Sequence, residues 1–135
     1  MRNKVLIIIV CFLTLMLSIY FLYDHTMPKA VVIDYPKYNL IDSITLRESD
    51  GTIIKVNEDD YEVLYRYICE SIPTRKQSVN EVPYIEHFYT VEIKSQEISI
   101  YGYGHIYDEN GNAYLEIPYV GIYRINNDVL EMLVN

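Results

Sequence analysis

Apolar side chains follow three different rhythms along this chain. From Val5 to Tyr23 they are nearly continuous, nineteen residues without a single charge. As a helix that run is about 28 Å long, close to the ~30 Å hydrocarbon layer of a bilayer. It is apolar on all sides, so it lacks the polar face of a helix at the surface of a soluble domain. The second rhythm is alternation. Ile44 and Leu46, then Ile54 and Val56, alternate with polar neighbours around Ser49-Asp50-Gly51. Pairing Leu46 with Ile54 and Ile44 with Val56 puts all four on one face and leaves a three-residue loop with Gly51 in the left-handed position. The third rhythm is helical. Tyr61, Leu64, Tyr65, Ile68 and Ile72 form one stripe behind an Asn57 cap, with acidic residues in the first turn and Pro73 as a stop.

Alternation then returns. His87, Tyr89, Val91 and Ile93 share a face, a short turn at Ser95-Gln96 leads to Ile98 and Ile100, and Asn110-Gly111 marks a tight hairpin. That hairpin pairs Tyr107 with Tyr114, Ile106 with Leu115 and His105 with Glu116. A last strand follows over Tyr119–Arg124, and Asn126 caps a short terminal helix. Hairpin connections imply an antiparallel sheet. The expected fold class is α+β: a transmembrane helix, then an antiparallel sheet with one long helix packed on one face, in the order strand, strand, helix, strands, short helix.

Arg2 and Lys4 precede the apolar run and Asp24 follows it. The positive-inside rule therefore expects residues 1–4 as a cytoplasmic stub, 5–23 as a single-pass anchor in the cell membrane and the remainder as extracytoplasmic. Tyr20 and Tyr23 stand where an interfacial aromatic belt forms. Signal-peptide cleavage needs small residues at an A-x-A-like site, and Ile19-Tyr20-Phe21-Leu22-Tyr23 offers none. Cys11 follows Val10 in mid-span, which does not suit a lipoprotein signal. Residues 24–41, with Pro28 and Pro36 and no sustained period, are expected as a tether in which Ala30–Ile33 forms a short edge strand. Residues 42–135 are expected as the outer domain.

Beyond residue 23 the chain carries nine basic and 19 acidic side chains, a net charge of −10. Such a domain repels nucleic acid and gains nothing from anionic headgroups, which leaves cationic partners or a merely solvated acidic surface. Cys11 lies in the span and Cys69 outside it, so the two do not pair and Cys69 is expected as an inert buried thiol.

Two constellations bear on chemistry. Pairing across Ser95-Gln96 sets Glu86 opposite His105, and the Asn110-Gly111 hairpin sets His105 opposite Glu116. Two carboxylates flanking an imidazole suit a zinc-type cation or a general base, and they favour the charged imidazole; cross-strand charge pairing on a solvated face accounts for them as well. The same face carries Phe88, Tyr101, Tyr103, Tyr107 and Tyr114, a set able to bind peptide or glycan, or simply to form good strands. Gly102 and Gly104 are too few for a phosphate loop, and Asp108–Asn112 reads as a turn rather than a calcium loop. No motif calls for a cofactor or marks an enzyme.

The span Ile98–Arg124, with Ile100-Tyr101-Gly102 and the run Tyr114-Leu115-Glu116-Ile117-Pro118-Tyr119-Val120-Gly121-Ile122-Tyr123, resembles a domain-of-unknown-function family of small membrane-anchored Gram-positive extracytoplasmic proteins. The resemblance implies a site outside the cytoplasm and supplies no activity. The leading expectation is a binding or interaction module for an envelope protein, peptide or glycan, with no nucleic-acid partner. The alternatives are an accessory immunity or sensing protein against cationic peptides, and a metal-dependent hydrolase using Glu86, His105 and Glu116.

Overall fold

Continuous apolarity builds one long first element. In the computed structural model, which describes residues 2–95 and 102–134, α1 spans Arg2–Thr26. It is long and apolar enough to cross a membrane, and none of its apolar stretch is buried against the rest of the chain. Its aliphatic hydroxyls are satisfied within the helix: Thr14 donates to the Cys11 carbonyl, Ser18 to the Thr14 carbonyl and Thr26 to the Leu22 carbonyl, all at 2.9 Å. A lipid environment demands that internal satisfaction.

The expected tether is instead a strap laid over the domain. The Ala30 N–H donates to the Thr74 carbonyl, the Tyr123 hydroxyl to the Val31 carbonyl and the Tyr65 hydroxyl to the Pro36 carbonyl, at 2.7–2.8 Å. Ala30, Ile33 and Tyr35 pack against the core, and Tyr35 meets Tyr65 edge-on. Residues 30–33 form no strand, because their backbone bonds go to a loop carbonyl and a side chain rather than to a sheet edge.

Among the described residues seven strands follow: β1 (Ile41–Glu48), β2 (Ile53–Ile54), β3 (Ile72–Pro73), β4 (Tyr89–Ser95), β5 (Tyr103–Glu109), β6 (Asn112–Ile117) and β7 (Gly121–Arg124). They form one antiparallel sheet in the order β2-β1-β4-β5-β6-β7-β3. The helix α2 (Glu58–Cys69) and the terminal α3 (Asp128–Val134) complete the domain. Leu46, Val91, Ile93, Ile106, Leu115 and Tyr123 alternate inward from the sheet and bury against Leu64, Tyr65 and Ile68 of α2.

The first hairpin has the expected loop. Leu46 pairs with Ile54, and Gly51 has φ +90°. Val56 does not pair with Ile44, because β2 ends at Ile54 and the chain turns away to begin α2. The Asn110-Gly111 hairpin keeps all three expected pairs, with φ of 56° and 77° at its two turn residues. That double left-handed turn is what Asn-Gly permits.

The register between β4 and β5 differs from expectation. His105 lies opposite Thr90, not Glu86, and Val91 lies opposite Gly104. β4 runs on to Ser95, the first residue of the expected turn, and the pairing slides by four residues. An even slide keeps every side chain on its expected face and changes only its neighbours. Ile72 also departs from the α2 stripe: the helix ends at Cys69, and Ile72 stands exposed in β3. Cys69 is exposed rather than buried.

Candidate functional site

Loop 74–88 decides what the outer sheet face can do. It folds back over the strands and covers the row that alternation points away from α2. Ser78, itself buried, donates its hydroxyl to the Glu116 carboxylate at 2.7 Å and accepts the Tyr119 N–H at 3.2 Å. The Glu81 carbonyl lies 2.9 Å from His105 Nε2. A carbonyl only accepts, so Nε2 carries the proton and Nδ1 accepts from the Thr90 hydroxyl at 3.2 Å.

That network fixes the electrostatics. Burial pushes the His105 imidazole below its ordinary range, and this outweighs the opposing pull of the Glu81 carbonyl and the Glu116 charge. The neutral ring is therefore favoured, contrary to the expectation that flanking carboxylates keep it charged. Burial likewise raises the Tyr107 phenol, helped by the charge of Glu116, with which its side chain hydrogen-bonds. Burial raises Tyr103 as well, reinforced by Glu81.

The expected metal set is not assembled. His105 and Glu116 face one another across β5 and β6, but Glu86 lies exposed in the covering loop, before β4 begins. Among the described residues no three metal-ligating side chains come together. The expected aromatic platform is likewise not an open surface. Phe88 and Tyr103 pack edge-on against His105 at 5.0 Å. Tyr107 is buried against Tyr114, over whose ring Lys76 reaches at 4.3 Å while it also pairs with Glu109. Tyr103 keeps part of its ring in solvent, and Tyr101 lies outside the described residues. A cleft of about 160 Å³ remains between Lys76, Tyr84 and Glu109.

A second feature lies at the far edge of the sheet. β2 covers β1 only at Leu46 and Arg47, with one further bond from the Glu48 N–H to the Thr52 carbonyl. From Ile41 to Thr45 no strand pairs the outer side of β1 among the described residues. Beside it runs a groove of about 550 Å³ lined by Tyr38, Asn39, Ile41, Asp42, Ile44 and Tyr61. The 3₁₀ turn at Tyr38–Leu40 and the first turn of α2 form its walls. That α2 turn also carries Asp59 and Asp60, with Asp60 held by the Asn57 amide at 3.1 Å. The nearest β4 cation, Lys94, is turned to Glu92 at 3.5 Å. Alternation in the sequence runs on to Val56, so it gives no sign that β2 stops at Ile54 and leaves this edge open. The acidic run at the start of the helix was its one visible signal.

Residues 29–124 match the family DUF5301, described as a domain of unknown function. The chain belongs to that family. The DUF5301 match begins at residue 29 and ends at Arg124, the last residue of β7, so the part of the strap that packs on the domain, from Ala30 onward, lies inside the family's own boundaries. No curated protein and no solved structure matches the chain.

Proposed function

We propose that this DUF5301 protein is a membrane-anchored module, cytoplasmic at its N-terminus and extracytoplasmic in its domain, that holds an extended basic segment of an envelope peptide or protein on the free edge of β1. The unpaired outer side of Ile41–Thr45 carries the reading. An added strand supplies main-chain partners there, and its alternate side chains reach the groove between Tyr38 and Tyr61. Asp42, Asp59 and Asp60 set the preferred charge, in keeping with the −10 of the chain beyond the anchor. β1 lies next to the sheet edge opposite β3, the strand beside which the anchor enters. The site therefore points away from the membrane.

The test uses the full chain in phosphatidylcholine nanodiscs and a fluorescent peptide of alternating lysine and valine. A glutamate–valine counterpart and a proline-interrupted counterpart serve as controls. The lysine–valine peptide is expected to bind, the controls are not, and Asp42→Lys is expected to weaken binding about tenfold, equivalent to ~1.4 kcal/mol. Equal binding of the glutamate peptide, or indifference to Asp42→Lys, counts against the proposal.

A further inference from the structure

The place where α1 meets the domain is apolar and exposed. Met27, Val31 and Val32 of the strap, Val79 of the covering loop and Tyr119 of the turn before β7 all stand open to solvent. They belong to one neighbourhood. Arg75 reaches back to Asp24 and to the Met27 carbonyl and lies over the Tyr23 ring, so loop 74–79 starts at the end of α1. Ala30 bonds to Thr74 and rests against Gly121, and the Tyr119 N–H bonds to Ser78.

Tyr119 stands out among them. It is 70% exposed and has φ 61°, a left-handed conformation that costs a tyrosine free energy which glycine avoids. The turn thus holds a large aromatic ring outward, at a backbone cost, beside the anchor. Charge at the helix end is largely neutralised. Asp24 is paired with Arg75 and Glu109 with Lys76, and Lys29 adds a cation in the same segment. Asp34, exposed two residues beyond Val32, is the carboxylate of the strap left outside these pairs.

We infer that this patch is a lipid-contacting collar, seated in the headgroup layer of the bilayer that α1 enters, with Tyr119 as its aromatic anchor. The inference rests on reading α1 as a membrane span. Only three residues separate Thr26 from Ala30, so Ala30, to which Gly121 of β7 is packed, lies within about 14 Å of the helix end. Valine and tyrosine side chains at that depth exchange water for the interfacial zone that favours them. The sheet then stands edge-on, with β3 and β7 at the membrane. β2 lies six strand spacings from β3, about 29 Å away.

The chain contains no tryptophan, so one introduced indole reports its own surroundings. Full-length Tyr119→Trp and Ile53→Trp are reconstituted in phosphatidylcholine vesicles, with and without lipids brominated near the glycerol end of the chain. The indole of Tyr119→Trp is expected to emit blue-shifted and to be quenched at least about twofold, the depth expected of an interfacial side chain. The indole of Ile53→Trp is expected to stay water-like and unquenched. Protein that pellets with vesicles while Tyr119→Trp stays unquenched overturns the collar and leaves the anchor standing. Protein that fails to pellet overturns both. A second variant guards against misfolding: Tyr119→Gly is expected to keep or raise Tm while a spin label on Cys69, in a Cys11→Ser background, gains mobility. Unchanged mobility overturns the collar as well.

Discussion

Gly121 and Ala30 touch so closely that a Cβ on the glycine would overlap the alanine Cβ. The contact joins the first residue of β7 to the strap, ninety-one positions earlier. Glycine is required here by close approach rather than by backbone angle. Gly121→Ala is expected to lift the strap and destabilise the domain by about 1–3 kcal/mol, the usual cost of overpacking. Urea unfolding measures it, and Ala30→Gly in the same chain is expected to return most of the loss.

Glu116 is a buried carboxylate held by the Ser78 hydroxyl and the Tyr107 side chain. Ser78→Ala removes one donor from the carboxylate and the acceptor of the Tyr119 N–H. Leaving buried polar groups unpaired costs about 1–3 kcal/mol. Hydrogen exchange of the backbone amides over 75–88 is expected to accelerate well before the β5–β6 hairpin is affected. Uniform acceleration across the domain would contradict a lock local to the loop.

His105 makes stability depend on pH in a definite direction. Its folded value is depressed, so the unfolded chain takes up the proton first. The contribution is whole above the unfolded value of about 6.5 and is lost as pH falls from there through the lower folded value. A Tm profile is expected to decline across that window, and in His105→Asn, which has no proton to gain, the decline is expected to shrink. A profile identical to that of the parent protein would remove His105 as its cause.

Cys69 offers a direct reading of which side the domain occupies. It is exposed, while Cys11 lies within the apolar helix. A membrane-impermeant maleimide on intact cells is expected to label Cys69. Partial burial beside Tyr65 raises its thiol, so labelling should speed up as pH rises past the ordinary thiol range. Labelling only after lysis would reverse the proposed orientation.

Tyr119→Gly is expected to stabilise the domain by about 1 kcal/mol by relieving the left-handed conformation. Chemical unfolding in detergent reads this apart from any lipid contact. A loss of stability would mean that the ring packs against protein rather than projecting from it.

Much of the architecture is readable from local chemistry. Asn110-Gly111 dictates its own turn and with it three cross-strand pairs. Gly51 does the same for the first hairpin, and the Leu64–Ile68 stripe places α2. The misplaced parts depend on residues distant in sequence. Nothing near Ser95 reveals that β4 continues to pair there, because its partner at that end is Ile41 of β1. Nothing in residues 24–41 announces a strap, because its contacts are with Thr74, Gly121 and Tyr123. The candidate site suffered most from this. The row of His105 and Glu116 was legible, but the loop that covers it, through Ser78 and Glu81, carries no periodic signal. The open edge of β1 arises only from where β2 stops.

The strap also sets a timetable. The Val31 carbonyl waits for the Tyr123 hydroxyl, ninety-two residues later. As the chain is synthesised from its N-terminus, the segment emerging just after α1 meets Tyr65 and Thr74 first and completes its contacts only when β7 has followed. Closure of so long a loop belongs among the slow, late events of folding. A nascent chain stalled before β7 would therefore carry a strap held only at Tyr65 and Thr74, and a half-covered core.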